Sequence, residues 1–385
     1  MNFAPSVLAG LVIAVLACHA SAGSIRFATF NASMNRSAAG ELEAALRNGD
    51  DPRIAKVAAI VGAVDPDVIL INEFDYGAGR DRIFVENYLD GAWPFSFIAP
   101  SNTGVATGHD LDGDGIAGSE PGTIELARDS HGFGTFEGQY GMVVLSRHEI
   151  AVEEVRTFRT FLWKDMPGAR LPARPDGTSF YSDAALEVLR LSSKSHWDVP
   201  VRIGGEVVHF LVCHPTPPVF DGPEDRNGTR NADEIRFWSD YVAGAEYIYD
   251  DAGLRGGLAE DALFVIAGDM NADPVDGESA PGAIRQLLQH PLLDASATPQ
   301  SDGGAAAAAA QGGANSEQRG DPRLDTADFN DSRPGNLRMD YVLPSAGMEV
   351  VQAGVFWPVE GDPGAEWIDA SDHRLVWIDV TLPAR

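Results

Sequence analysis

The sequence predicts an α/β fold, and three observations lead there. Short apolar runs that end in polar residues recur from residue 25 to residue 380. Each reads as a buried strand running into a loop. Between the first two of them, Asp51-Pro52 opens a segment with Ile54, Val57, Val61 and Val64 at helical spacing. Strand, helix and strand in that order mark α/β architecture. The third observation is continuity: 385 residues would allow two domains, yet no internal repeat and no clear linker divides them.

Residues 7 to 17, VLAGLVIAVLA, form an apolar run too short to span a bilayer as a helix. Ala20-Ser21-Ala22 then offers an A-x-A cleavage site before Gly23, as in a secretory signal peptide, although the opening MNFAPS holds no Lys or Arg. The expected division is a signal peptide over 1–22 and a single domain over 23–385, secreted or periplasmic. A second reading is a lipoprotein signal, because Val15-Leu16-Ala17-Cys18 is similar to a lipobox and would anchor the chain through Cys18. No other segment is apolar for long enough to cross a membrane, so no stable insertion is expected after processing. Cys213, the other cysteine, sits inside an apolar strand and reads as a core residue. With 57 acidic against 28 basic residues the net charge is −29. Such a surface repels polyanions at long range, which argues against a generic grip on DNA or RNA. It does not exclude a nuclease, since bound cations and local arginines offset it.

The elements follow in order. IRFATFN (25 to 31) is an apolar strand ending in Asn31, and a polar, Ala-rich stretch to Asn48 reads as a loop leading into a short helix. Asp51 as N-cap with Pro52 behind it starts the next helix, and Asp65-Pro66 stops it. DVILINEFD (67 to 75) is a strand carrying Glu73. Residues 100–138, rich in Gly, Ser, Thr and Asp, read as an insertion. Within it, DLDGDG sets Asp110, Asp112 and Asp114 at the spacing of a calcium loop, although Pro121 holds the twelfth position. A solvated acidic loop is the alternative. GQYGMVVLSR (138 to 147) is the next strand.

Residues 156 to 183 interleave Arg156, Arg159, Lys164, Arg170 and Arg174 with Phe158, Phe161 and Trp163. Either the cations meet a phosphorylated or ring-bearing substrate, or the aromatics pack a loop onto the core. LRLSSKSHWDVPV (189 to 201) is a strand and its turn, with His196 structural. FLVCHPTPP ends its strand at His214. Asn231 to Glu234 reads as a capping box starting a helix, with Ile235, Trp238, Val242 and Ala245 on its apolar face and Arg230 just ahead. FVIAGDMNADP (264 to 274) is a strand ending in Asp269 and Asn271, which alternation would set on one face. There a carboxylate can orient or deprotonate a water while an amide donates to an anionic oxygen; a plain turn is the other reading. From Ser279 to Arg338 come a short helix, the low-complexity DGGAAAAAAQGGA and a long polar segment. RMDYVL and SDHRLVWIDV then put Asp340 and Asp372-His373 just before apolar runs.

Strand ends carrying Asn31, Glu73, His214, Asp269 with Asn271, Asp340 and Asp372-His373, in this order, resemble the endonuclease/exonuclease/phosphatase family. Its branches include deoxyribonuclease-I-like, sphingomyelinase-like and inositol-phosphatase-like enzymes. Tyr140-Gly141 to Arg147 is similar to the family's G-x-x-x-x-S-R strand. The resemblance implies a four-layer α/β sandwich, two packed mixed β-sheets flanked by helices, with insertions near 100–138 and 296–336. It implies hydrolysis of phosphate esters with Mg²⁺ or Mn²⁺ held by Asn31, Glu73 and Asp372. The catalytic set would be His214, Asp269, Asn271, Asp340 and His373, with Asp340 holding one ring nitrogen of His373. Asn31 is followed by Ala32 and Ser33, where the abasic-site endonucleases have a second metal-side Asp, which points away from DNA repair. The expected protein is a monomeric exported phosphodiesterase acting on nucleic acid or a small phosphodiester, with calcium at a separate loop. A phosphomonoesterase or phospholipid phosphodiesterase on the same scaffold is the alternative, and a non-catalytic binding module the third.

Overall fold

A computed structural model describes residues 23–383, so the expected signal peptide and Cys18 lie outside the described residues. In chain order the strands are β1 (Ile25–Asn31), β2 (Val68–Asn72), β3 (Phe95–Phe97), β4 (Met142–Ser146) and β5 (Glu149–Ile150). There follow β6 (Arg156–Thr157), β7 (His196–Ile203), β8 (Glu206–Cys213), β9 (Leu263–Asp269) and β10 (Ala327–Asp328). The last are β11 (Asn336–Leu337), β12 (Asp340–Pro344), β13 (Glu349–Val355) and β14 (Val376–Thr381). The helices are α1 (Glu41–Asn48), α2 (Pro52–Val64), α3 (Arg80–Tyr88) and α4 (Ile124–Asp129), then α5 (Asp183–Leu186), α6 (Arg226–Val242), α7 (Arg285–Leu288) and α8 (Asp302–Gln311).

One sheet runs β13-β14-β1-β2-β4-β3; the other runs β12-β9-β8-β7-β5, with β6 also on β7. Both are mixed, because β1–β2 and β8–β9 are parallel while their remaining neighbours are antiparallel. The strands read as unbroken apolar runs because both faces of each sheet are covered. In β1 and β2, Phe27, Val68 and Leu70 point toward the second sheet, whereas Ala28, Phe30, Ile69 and Ile71 meet α1, α2 and α3. In β8 and β9, Val208, Phe210, Val212, Val265 and Ala267 point back at the first sheet, and Leu211, Phe264 and Ile266 meet α6 and α7. Helices, sheet, sheet and helices make the four layers.

Apolar faces on both sides leave the register of β1 against β14 weakly specified, since a one-residue slip only exchanges one apolar face for another. A buried charge pair specifies it. Arg26 and Asp379 are directly opposite in the pairing and bond twice, Nε to Oδ1 at 2.7 Å and Nη2 to Oδ2 at 2.8 Å.

Local capping follows the sequence at α2, where Asp51 Oδ1 accepts the N–H groups of Arg53 and Ile54 and Asp65 ends the helix in a left-handed turn. It does not at α6. That helix begins at Arg226, five residues before the expected capping box, and Asn231, Asp233 and Glu234 are buried in its middle. They cap other segments instead. Glu234 accepts the N–H groups of Ser193 and Thr216, Asp233 accepts Trp163 Nε1 and Arg170 N–H, and Asn231 Nδ2 donates to the carbonyls of Thr216 and Met270. The Ala-rich run is α8, capped by Ser301 Oγ on Gly304 N–H; alanine has the best helix propensity, which overrides the two glycines at its start. Phe158, Phe161 and Trp163 are buried in the core beside α6, so the aromatics of the basic stretch pack the loop down. Among the described residues no helix is long and apolar enough to cross a membrane.

Candidate active site

Strand parity aims the polar strand ends into the cleft between the sheets. Asn31 and Asn72 continue the inward-facing positions of β1 and β2, Asp269 those of β9, His214 those of β8, and Asp340 precedes the inward Val342 of β12. Asp340 and Asp269 are paired residues of the β12–β9 ladder. Asn72, fully buried, fastens the two sheets at this end: its Oδ1 accepts Asp269 N–H (3.2 Å) and its Nδ2 donates to the Cys213 carbonyl (3.4 Å).

Glu73 would face the helices if β2 simply continued. The chain turns left-handed there, φ 58°, and the carboxylate accepts Asn31 Nδ2 at Oε1 (3.2 Å). The same amide donates to Asp269 Oδ2 (3.0 Å), while Asn31 Oδ1 accepts Ser33 N–H. Asn31 thus spends both ends of its amide within the protein, orienting Glu73 and Asp269. Asn271 is also left-handed, φ 50°. The strand stops at Asp269, so the two residues are brought together by a turn, not by strand alternation: Asn271 N–H donates to Asp269 Oδ1 (2.9 Å) and its Nδ2 to the Pro215 carbonyl (3.2 Å). Positive φ costs a non-glycine residue roughly 1–2 kcal/mol, and three such residues, Ser33 (φ 47°), Glu73 and Asn271, sit in this one cleft.

Asp340 Oδ2 lies 2.8 Å from His373 Nδ1 and also accepts the Thr326 hydroxyl at 2.8 Å. Burial works against a charged His373, but the charges of Asp340 and Asp269 and the hydrogen bond to Asp340 outweigh it and push the imidazole up to about 10. Its Nε2 is 3.6 Å from Asp269 Oδ2. Asp372 precedes the start of β14 in a bend, is exposed, and accepts the Ser33 hydroxyl at 3.0 Å. His214 Nε2 lies 3.4 Å from Asp269 Oδ2 and its Nδ1 is buried without a partner. Burial, then Lys194 and His373, hold that ring neutral, well below the usual range. Burial raises the carboxyls of Asp269 and Glu73. Asp269, Asp340 and His373 each place a ligand atom within 4.8 Å of the others, a group able to hold a metal ion. A second such group joins Asp110 and Asp112 to the buried Asp129 of α4, while Asp114 bonds Ile116 N–H and lies outside it.

A model of the endonuclease/exonuclease/phosphatase family matches residues 28–373. The chain belongs to the endonuclease/exonuclease/phosphatase family. Among solved structures, a family protein from Beutenbergia cavernae is 17% identical with a TM-score of 0.51, covering 94% of this chain and 72% of that one. Sphingomyelinase C from Streptomyces griseocarneus is 14% identical with a TM-score of 0.45, over 92% and 99%. Among curated proteins the sequence finds no significant match.

Three residues at this end of the cleft escape a reading of the sequence. Lys194, one of three lysines, is buried with no hydrogen bond or ion pair from its ammonium among the described residues, and burial lowers it while Glu234, Glu73 and Asp269 act the other way. A lysine deep in a run of apolar and small residues is the one signal that pointed to it. Thr326 comes from the long polar segment, its hydroxyl also accepting the N–H groups of Met339 and Asp340, and nothing local marks it. Asn72 was legible only as the residue beside Glu73. His196 is held by Ser192 Oγ and the Glu234 carbonyl, and Cys213 is fully buried with its thiol pushed up by burial.

Proposed function

We propose that this chain is an exported, metal-dependent phosphoesterase that hydrolyses phosphodiester bonds. One observation supports the reading above all: four carboxylates, an imidazole and an unpaired lysine meet at one end of the inter-sheet cleft. Glu73, Asp269, Asp340 and Asp372 outnumber His373 and Lys194, and Asp340 Oδ1 is buried without a partner. An excess of carboxylate gathered at one end of the cleft calls for a cation, and oxygen donors suit Mg²⁺ or Mn²⁺.

Glu73 and Asp372 would hold the ion, with Asn31 fixing Glu73. Bound there, the ion would neutralise charge developing on the phosphoryl oxygens. A His373 kept charged by Asp340 suits contact with an anionic phosphate oxygen better than proton abstraction, and it is a poor metal ligand for the same reason. Asp269, its carboxyl lifted by burial, is the residue placed to orient the attacking water and take its proton. Lys194 would stand against the phosphate as a second cation.

The test is hydrolysis of bis-p-nitrophenyl phosphate, p-nitrophenyl phosphate, plasmid DNA and RNA with Mg²⁺, Mn²⁺ or EDTA. Diester cleavage that stops in EDTA and in Glu73→Gln, with the melting curve unchanged, is the expected result. Full activity in EDTA would sink the metal, and cleavage of the monoester alone would make the protein a phosphomonoesterase. Export rests on residues 7–22 and is tested by sequencing the N-terminus of the mature protein. A separate calcium is proposed at Asp110, Asp112 and Asp129; a melting temperature unmoved by calcium would remove it.

A further inference from the structure

The five cations between residues 156 and 174 have no part in the cleft chemistry, and the structure sorts them. Arg156 Nε is 2.7 Å from Asp250, Lys164 Nζ 2.6 Å from Glu187 and Arg170 Nε 3.9 Å from Asp233. Arg174 donates to the Ser179 carbonyl and lies over the Phe180 ring. Arg159 remains. Its guanidinium makes no hydrogen bond or ion pair among the described residues, although its backbone is fixed by Asn102 and Asp251.

The charges of Arg190, Arg230 and Arg159 all act on the ring of His131. Arg190 Nη1 donates to Asn102 Oδ1 (2.6 Å), and Asn102 Nδ2 donates to the carbonyls of Arg159 and Ser192, both at 2.7 Å. Arg230 is buried and donates to the carbonyls of Leu191, His131 and Arg190. None of the three is in an ion pair among the described residues. In a chain with 57 acidic residues, gathering three unpaired guanidiniums is unfavourable unless something anionic joins them. Burial and the charge of Arg159 weigh against the charge on Arg190, and Asp251, whose carboxylate accepts the Arg159 N–H, is the one acid among the described residues that acts the other way, against three guanidiniums. His131 adds an unpartnered nitrogen: it is 5% exposed, its Nδ1 is buried without a hydrogen bond, and burial with the three arginines holds the ring neutral. Arg159 and Arg190 are half-buried, so the group opens to solvent on their side.

The cluster adjoins the catalytic cleft. Asn102 N–H donates to the Lys194 carbonyl (2.8 Å), and the charges of Arg230, Glu73 and Asp269 all act on the Lys194 ammonium. We propose that Arg159, Arg190 and the Nδ1 of His131 form a second anion subsite, which takes a phosphate group of the substrate other than the one being cleaved. The inference rests on the phosphoesterase reading and narrows it to small substrates carrying a further phosphate monoester. Guanidinium forks match phosphate oxygens two at a time, and a neutral imidazole can present an N–H beside them. A long polyanion would meet the acidic surface over its whole length, whereas a small bisphosphate meets only the cluster and the cleft.

Calorimetry tests this with thymidine 3′,5′-bisphosphate against thymidine 5′-monophosphate, and fructose 1,6-bisphosphate against fructose 6-phosphate. The two pairs separate a nucleotide from a sugar source of the second phosphate. The full chain should bind the bisphosphate of at least one pair about tenfold tighter, a typical effect of one charge-assisted contact. Arg159→Gln, which breaks no internal bond, should erase the preference and leave monophosphate binding unchanged; Arg190→Gln keeps an amide for Asn102 and should do the same. Equal affinity for both members of both pairs in the unaltered protein overturns the subsite, as does a preference that survives both variants. Hydrolysis of bis-p-nitrophenyl phosphate is measured beside it: a bisphosphate preference without hydrolysis leaves the subsite standing and removes the catalytic reading.

Discussion

At the residue scale, the Asp340–His373 pair ties chemistry to geometry. The two are bonded at 2.8 Å across 33 positions of sequence, and Asp340 is the larger source of the charge that keeps the ring protonated. Either single change should therefore remove the same function. A preorganised donor to charge developing on the phosphoryl oxygens is worth ~10²–10³-fold, so Asp340→Asn and His373→Ala should each lower kcat by that order. The double variant should be scarcely worse than His373→Ala alone, and losses that multiply would mean the pair does not act as a unit. Asp325 makes a second prediction. Its Oδ2 is buried without a partner, and burial with the charges of Asp273, Asp276 and Asp321 pushes it up to about 8. A raised carboxyl pKa means the folded state holds a proton that the unfolded state has released. Stability then falls as pH rises from about 4 to about 8, by at most about 5 kcal/mol. Asp325→Asn should gain on the parent protein across that window and keep its lead above it. Urea unfolding at pH 5 and pH 9 with the same difference at both would refute the assignment.

At the element scale, the register of β1 on β14 depends on Arg26 and Asp379, each 1% exposed or less. Removing one partner of such a pair typically costs about 3–5 kcal/mol, because the other charge stays buried and unpaired, while an apolar replacement of both is far milder. Asp379→Ala should thus lower the melting temperature sharply, and Arg26→Met with Asp379→Leu should recover most of it. If the double variant melts no higher than the single one, the pair does more than fix register. The buried strands β1, β2, β4, β8, β9, β12 and β14 were legible, because two-sided burial writes them as unbroken apolar runs with polar ends, whereas β13, largely exposed over its first five residues, was not; α2 was legible because Asp51 and Pro52 act on their own helix. Asn231 and Glu234 misled because the same residue types cap distant loops from mid-helix, and spacing along a chain does not say which backbone a side chain will reach. Glu73 and Asn271 were readable as residue types, but the left-handed turns that aim them are set by tertiary contacts. Lys194, Thr326 and the arginine cluster depend on loops meeting across the fold, which no local pattern encodes.

At the scale of the whole molecule, the cleft draws on both sheets and on segments from Asn31 to His373. Asn72 joins the sheets at that end through Asp269 and Cys213. No contiguous fragment holds the set, and neither sheet holds it alone. A protein built this way is silent until its folding is finished. The groups of the site arrive as separate passengers along the nascent chain, and His373 follows Asn31 by 342 positions. Contacts of such long sequence separation form late and slowly. On dilution from urea, hydrolysis should therefore return with the slowest phase that recovers native tryptophan fluorescence, with no earlier burst of activity. Activity that preceded that phase would show that half of the sandwich suffices. If the chain is exported unfolded, the same architecture keeps the proposed phosphoesterase inactive in the compartment that makes it, because the site comes into being where the chain folds.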